Sequence, residues 1–587
     1  MTGPRNTPVT QRIAELERFL GDPHDPHNPL GYTAVLEADE GGVPFAAGEH
    51  TLCCFGLNAE FVPRALGGRF DRADDLAGLM RSVFRRDGTL GVGYGVSSFV
   101  AGLPVWASGT PGQQRRAARI LLAEGRLAGG FTELAHGNDL AGTSLRALPG
   151  DGGLVLDGGK QLIDNMVRAE AAVLFTRADD RPGGRGHTHL LVDLEKLPRG
   201  RAARDRRFRT SGLRGLLLGG IELRDCPVPA DSVLGEPGEA MDTVLRALQI
   251  SHTVLPGMAL GIADTQLRTV TGFVRERQLH AGPGGVPPLA SATLVGAFTD
   301  LLACDALATV GARALHALPG ETGVLSSAVM YLVPKILQDV SYRLSVLLGA
   351  QGLLRDGPYA IFQKAARDLP AVVAGQVGAA VCQASIVTQL PRLAQRSWLP
   401  ALERAQRSGR VGPDDPLGTA LSLHLPLPRL DFARLSLHAS GQDSPTDVLP
   451  AVHHELARVG GRDTGELAAL TGLFVQELRE LAASVARLSI PDRTVLAGPR
   501  GFALADRYAQ VLAGAACLGV WRAAQEAPEP GFVSDPAWVT AALHRLAKGL
   551  GLRPGPLPPP VLARLHAELA ERYDRRRTLD LTAGPLA

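Results

Sequence analysis

Cysteine is scarce in this chain, and the few residues present form no metal-site pattern. Of 587 residues, six are cysteine (Cys53, Cys54, Cys226, Cys304, Cys382 and Cys517), scattered apart from the adjacent pair Cys53-Cys54. That spacing fits neither a zinc ribbon nor a CxxC redox motif, and the adjacent pair is expected as two buried thiols. An excess of one charge is also lacking. Sixty-one Lys and Arg against 59 Asp and Glu leave a formal charge of +2, too little to draw the chain to nucleic acid or an anionic membrane. No apolar run reaches membrane-span length, and MTGPRNTPVTQRIAELERF at the start holds no apolar signal core. The expected setting is the reduced cytoplasm, without a membrane span. No internal repeat is evident.

What is present describes a globular protein. Hydrophobic residues make up 45% and charged residues 20%, and the length allows two to four cores. Abundant Ala, Gly, Leu and Arg beside few Lys match the coding bias of a high-GC bacterium. Apolar periodicity predicts helices over Pro8–Leu20, Ala77–Phe84 and Pro111–Ala123. From about residue 128 the pattern changes to short strands and turns, including Gly219–Leu223. It then returns to helices over Met241–Arg277, Ala290–Leu318, Val324–Leu348 and Ala371–Leu393. Pro-rich breaks beyond residue 396 separate further helices at Asp463–Leu488, Leu504–Glu526 and Pro559–Arg575. The expected class is α+β, with a helical domain over 1–127, a small β-domain over 128–236, a four-helix bundle over 237–396 and a helical extension over 397–587.

The densest information lies in FTELAHGNDLAGTSLRA (Phe131–Ala147) and GDGGLVLDGGKQLIDN (Gly150–Asn165). Thr132 and Glu133 end an apolar strand, and a Gly- and Asn-rich turn follows, where backbone amides can approach a ligand. Leu154-Val155-Leu156 and Ala171–Thr176 read as short buried strands, separated by a turn at Asp157-Gly158-Gly159.

This order resembles the acyl-CoA dehydrogenase family. Thr132-Glu133-Leu134-Ala135-His136-Gly137-Asn138-Asp139 stands where the family has TE-P-x-x-GSD, and Lys160-Gln161-Leu162-Ile163-Asp164-Asn165 where it has K-x-x-ITN. GTPGQQRR resembles the G-T-x-x-Q-K helix that leads into the first flavin strand. DCPVPADSVLG resembles the D-V-x-V-P-x-x-N-x-L-G strand exit, FVRERQLHAG the Y-x-x-x-R-x-x-F-G helix end, and LLGAQGLL the G-G-x-G turn. The resemblance implies an acyl-CoA dehydrogenase-like fold with FAD between the β-domain and the following helices. It places Phe131 and Thr132 against the flavin, Leu162 and Ile163 along its ring, Asp164 in place of a threonine beside N5, and Asn138 in place of a serine at the flavin–substrate edge. Arg277 takes the position that reaches the diphosphate of a neighbouring subunit's FAD, where a guanidinium bonds well. Gly349 and Ala350 take the dinucleotide-contacting turn, His280 replaces a phenylalanine, and a homodimer is expected.

The family's catalytic base is missing. Counting from Arg367-Asp368 reaches Gln376 where a glutamate stands, and the alternative position on an earlier helix holds Ser251, followed by His252 in place of arginine. Glutamine cannot accept a proton at neutral pH. A substrate that forms its own enolate, such as a β-keto acid losing CO₂, needs no α-deprotonation. Length, composition and the missing glutamate resemble the acyl-CoA-dehydrogenase-like enzymes of bacterial secondary metabolism that form epoxyketones. They imply decarboxylation, dehydrogenation to an enone and epoxidation with molecular oxygen on a free or carrier-bound substrate, with Asp164, His252 and Gln376 as the candidate catalytic residues. A conventional acyl-CoA or acyl-carrier-protein dehydrogenase or oxidase with a displaced base, and an inactive scaffold, are the alternative readings.

Overall fold

The computed structural model describes residues 7–587 apart from 138, 180–183, 205–206, 282–287, 375–377, 405–414, 439, 460–463, 496 and 529–530. It divides into two units, one of residues 1–71 with 82–251 and the other of residues 72–81 with 252–587. Along the chain, helices precede and follow a run of strands, as the α+β class requires.

In the first unit the sheet has eight strands: β1 (Leu127–Gly130), β2 (Arg146–Gly150), β3 (Gly153–Asp164), β4 (Ala171–Arg177), β5 (His187–Asp193), β6 (Ala202–Ala203), β7 (Leu218–Pro229) and β8 (Val233–Leu234). Their order is β6-β7-β3-β2-β4-β5-β8, with β1 parallel to β4. Ala147, Leu156, Ile163, Leu174, Leu190, Ile221 and Val228 fill its core. Strands β4 and β5 are buried on both faces except at their last residues, which explains their near-continuous apolar reading.

The expected turn at Asp157–Gly159 does not form. Strand β3 runs through it, with a register shift against β7 between Leu156 and Gly158. Gly158 has φ +118°, and a Cβ there would lie 3.1 Å from the Leu145 Cα, so the glycine provides a bulge within one strand. The reversal comes earlier, where Asp151-Gly152 links the paired residues Gly150 and Gly153, with Gly152 at φ +76°. Asp-Gly is a preferred two-residue hairpin connection.

Helices brace this sheet. In Pro111–Leu122, Thr110 caps the start reciprocally with Gln113, and the Gln113 amide also donates to the Asp231 and Val233 carbonyls at 2.8 Å. Two sequence motifs more than a hundred residues apart are joined by that side chain. The helix Gly88–Ser108 begins behind Asp87, whose carboxylate accepts from the Thr89 and Leu90 amides. Between Gly91 and Val96 it widens to a π-helix. On the helix Ala46–Phe55 the inward face is Gly48 and Leu52. This turns Cys53 and Cys54 outward as exposed free thiols and corrects the expectation that they are buried.

The second unit is helical, with Pro288–Ala317, Thr322–Leu348, Ile361–Ala374, Ala379–Leu393, Gly465–Ala486, Pro499–Ala524, Pro536–Gly549 and Pro559–Asp574 among its elements. The single helix expected over Ala371–Leu393 is two helices, because Gly378 is extended (φ −60°, ψ 147°) and starts the second. Buried ion pairs tie distant helices together, Arg313 to Asp74 at 2.8 Å and Arg81 to Asp305 at 2.5 Å. Among the described residues two helices, Gly88–Ser108 and Pro288–Ala317, are long and apolar enough to cross a membrane, contrary to the sequence expectation, but 78% and 94% of their apolar windows are buried inside the protein. Core helices have this character.

Candidate active site

In the first unit, the two motif segments come together at the end of β1. The Gln161 amide donates to the Thr132 carbonyl at 3.1 Å. The Lys160 ammonium donates to the Phe131 carbonyl at 3.3 Å. The same ammonium, fully buried, lies 2.7 Å from Glu133. Glu133 also accepts from the Thr143 hydroxyl at 2.6 Å, the Ser144 hydroxyl at 2.5 Å, and the Ser144 and Leu145 amides. Burial opposes its charge, but the bonds from Lys160, Ser144 and Thr143 prevail and hold its pKa at about 2. The T-E and K motifs are thus two halves of one buried lock that shapes the loop after Thr132.

Strand β3 bulges again just before its end. Gln161 pairs with Gly220 and Ile163 with Gly219, which leaves Leu162 unpaired at φ +56°. A leucine in this left-handed region is strained. The bulge exposes the Leu162 side chain by 37% and sends Ile163 into the β-domain core, so Ile163 can offer a ligand only its main chain. Thr132 and Phe131 are half-buried. Phe131 packs edge-on to His189 and joins a cluster with Phe175, Ala240, Met241 and Val244. Gly137 has open space where a Cβ would stand, while Asn138 lies outside the described residues.

Asp164 follows the bulge and turns its carboxylate to the π-helical segment, where it accepts from the Ser97 hydroxyl. Its other oxygen accepts from the Asn165 amide at 3.0 Å. Desolvation pushes its pKa up to about 6 despite Ser97 and nearby Arg168. Asn165 is fully buried at φ +61° and donates to the Gly93 carbonyl at 2.7 Å. Asparagine tolerates that backbone better than most residues, and its amide stitches the strand end to the π-helix. Ser97 and the Glu133–Lys160 pairing were absent from the sequence-based site. For Ser97 the signal in the sequence is the adjacent Gly-rich run GVGYGV.

His189 is a further residue that the sequence did not single out. It stands opposite Phe175 in the β4–β5 register. Burial, with Lys160 and His187 nearby, lowers its pKa to about 3, and its Nε2 has no partner among the described residues.

Ser251 is fully buried, and its hydroxyl donates to the Leu248 carbonyl of its own helix at 3.1 Å. In the second unit, His252 is 8% exposed with an unpartnered Nε2 among the described residues. Burial alone lowers its pKa to about 4, so it is neutral at physiological pH. Since the unfolded imidazole holds its proton to higher pH than the folded one, stability falls as pH drops from about 6.5 toward 4. Replacement by leucine removes that acid sensitivity and the cost of an unpaired polar atom, roughly 1–3 kcal/mol. Thermal melts across that pH range check this outcome.

Arg277 is exposed, its guanidinium 5.1 Å from the Phe273 ring centroid. Gly349 begins an exposed 3₁₀ turn, Gly349–Leu353, with φ +59° and open space around a would-be Cβ. Ala350 is exposed beside it. Gln376 and the side chain of His280 lie outside the described residues.

Comparison with known proteins gives a consistent relationship. No protein-family profile matches the chain. The mitochondrial 2-methylacyl-CoA dehydrogenase of Solanum tuberosum is 26% identical over 223 residues, covering 38% of this chain and 53% of that protein. The short-chain specific acyl-CoA dehydrogenase of Homo sapiens is 28% identical over 230 residues, covering 39% and 55%. The chain therefore spans about half the length of these curated relatives. A solved acyl-CoA dehydrogenase from Bacillus anthracis, complexed with FAD, superposes with a TM-score of 0.66 at 16% identity and covers 97% of this chain and 96% of that one. At this identity the likeness establishes the fold, and it extends over the C-terminal helices. In sequence the chain is similar to acyl-CoA dehydrogenases over part of its length, and its fold is acyl-CoA dehydrogenase-like.

Proposed function

We propose that this protein is an FAD-dependent oxidoreductase whose substrate forms its enolate without an enzymic carboxylate base. The observation that carries the reading is Ser251, whose buried hydroxyl is turned into its own helix, together with Gln376 at the other base position. Each unit by itself carries groups suited to FAD. In the first, the half-buried Thr132 and the strained main chain at Leu162 suit a flavin edge. In the second, the exposed guanidinium of Arg277 and the open glycine turn at Gly349 suit a diphosphate, for Arg277 that of a neighbouring subunit's FAD. FAD, when bound, would supply a two-electron acceptor and, once reduced, reactivity toward oxygen.

The favoured substrate is a β-keto acid, free or carrier-bound. Its C–C bond to the carboxylate breaks, CO₂ leaves, and the bonding electron pair becomes the enolate. The tasks left to the protein are to hold the substrate, to exclude water and to place charge. In the first unit, Phe131 with its apolar neighbours offers a dry surface; the second unit separately carries His252, buried and neutral. Oxidation to an enone and oxygenation to an epoxide, in bacterial secondary metabolism, complete the proposal. CO₂ release from a panel of β-keto acids, with oxygen uptake, tests it against a saturated acyl-CoA. Flavin reduction by the acyl-CoA alone supports instead a conventional dehydrogenase with a displaced base.

A homodimer belongs to the same reading. Tyr342, Val346, Leu353 and Leu354 are 50–82% exposed on the helix Thr322–Leu348 and the turn after it, an apolar surface that a second subunit would cover. Replacing Arg277 with alanine should weaken FAD binding by about tenfold or more, from the loss of a charge-assisted bond. Fluorescence titration of the apoprotein measures this, with the fold unchanged because Arg277 is exposed.

A further inference from the structure

Ser97 has one hydroxyl hydrogen and two acceptors within reach. Its oxygen lies 2.9 Å from the Val92 carbonyl and also bonds Oδ2 of Asp164. The Val92 carbonyl already accepts the Ser97 amide, in the π-helical spacing. If Asp164 is ionised, the hydroxyl donates to the carboxylate. If Asp164 carries a proton, that proton can bond the Ser97 oxygen while the Ser97 hydrogen turns to Val92. Both states leave the hydroxyl paired, which an ordinary serine–carboxylate contact does not achieve.

We propose that Ser97 and Asp164 form a proton-holding pair, in which the Ser97 hydrogen moves between the Val92 carbonyl and the Asp164 carboxylate as Asp164 loses or gains a proton. No electrons move, and the proton exchanges with solvent. The remaining groups facing Asp164 do not fix its charge. The Asn165 backbone amide donates to its other oxygen, the Asn165 side-chain nitrogen makes a long 3.4 Å bond to Oδ2, and Arg168 is committed to Glu49 through bonds of 2.6 and 2.7 Å and to the Asn165 side-chain oxygen at 2.7 Å. Glu49 in turn adds negative potential at Asp164. Burial raises the carboxyl into a range where near-neutral pH decides its state. A bound anion would then favour the protonated form, so that an acidic substrate carries proton uptake with it. This consequence rests on the proposed function for placing the substrate near Asp164, whereas the pair itself does not. Ser97 acts as a positioning residue, holding Asp164 in either state.

Infrared difference spectra of the full-length protein between about pH 5 and pH 8 test the pair directly. A protonated-carboxyl band should disappear with a midpoint near pH 6 and be absent from Asp164→Asn. In Ser97→Ala the midpoint should rise, because the charged form loses the stronger of its bonds, and Ser97→Thr should restore it. A wild-type protein without a titrating band, a band that survives Asp164→Asn, or an unmoved midpoint in Ser97→Ala overturns the proposal. The Ser97 variants keep the test valid should Asp164→Asn fail to fold. A colourless protein with the band refutes the flavin reading but supports the pair, and a yellow protein without it does the reverse.

Discussion

Mixed anaerobically with a saturated acyl-CoA, the wild-type protein should leave its flavin oxidised over many ordinary turnover times. Losing a general base typically costs about 10²–10⁴ in rate, and typical enzymes turn over at roughly 1–10³ per second. Dehydrogenation by α-deprotonation should therefore fall well below the usual range. Gln376→Glu should recover part of it, about tenfold or more, since it returns a carboxylate to one of the two vacant positions. The same variant should gain nothing in CO₂ release from a β-keto acid, whose enolate forms without that base. Rapid mixing with flavin absorbance measures the first reaction, and a coupled CO₂ assay measures the second. Wild-type oxidation of acyl-CoA at an ordinary rate would show that another group serves as the base.

Removing the Glu133 carboxylate should have the largest effect on stability. Glu133→Ala leaves the fully buried Lys160 without its ionic partner, and breaking such a pair from one side costs about 3–5 kcal/mol. Four donors from Thr143, Ser144 and Leu145 would also be released, so the loop after Thr132 should loosen first. Denaturant titration reads the loss, and Glu133→Gln/Lys160→Met should recover much of it by removing both charges. The pH dependence has a definite sign. The folded carboxyl titrates at about 2, below the ordinary carboxylate range. Its contribution is therefore complete above that range and disappears as pH falls through it toward 2. A Glu133→Ala protein as stable as wild type at neutral pH would refute the lock.

Much of the fold could be read from the chain. The switch from 3.6-residue periodicity to short strands near residue 128, and back near 240, brackets the strands, which run from Leu127 to Leu234. The motif order predicted that Phe131-Thr132 and Leu162–Asp164 share one neighbourhood, and the Gln161–Thr132 bond brings them together. The errors have local physical causes. Asp157-Gly158-Gly159 has turn composition, but inter-strand pairing on both sides of β3 outweighs it and converts the glycine into a bulge. Cys53-Cys54 carries buried-type residues, yet a helix has one inward stripe and Leu52 occupies it. Leu162 and Ile163 were both expected along the flavin ring, but Ile163 turns into the core because one unpaired residue reverses the two-residue period of a strand.

The sequence alone determined the α+β order of elements, the absence of a carboxylate at both expected base positions, and the motif frame that resembles the acyl-CoA dehydrogenases. Those features depend on residue identity and short spacing, which the chain displays directly. Only the tertiary structure decided that Glu133 is neutralised by Lys160, that Asp164 faces Ser97 across 67 residues of chain, and that His189 and His252 are buried with a nitrogen unpaired among the described residues. A buried charge or polar atom takes its behaviour from its partners and its desolvation. Both arise from contacts between segments far apart in sequence, and no local pattern records them.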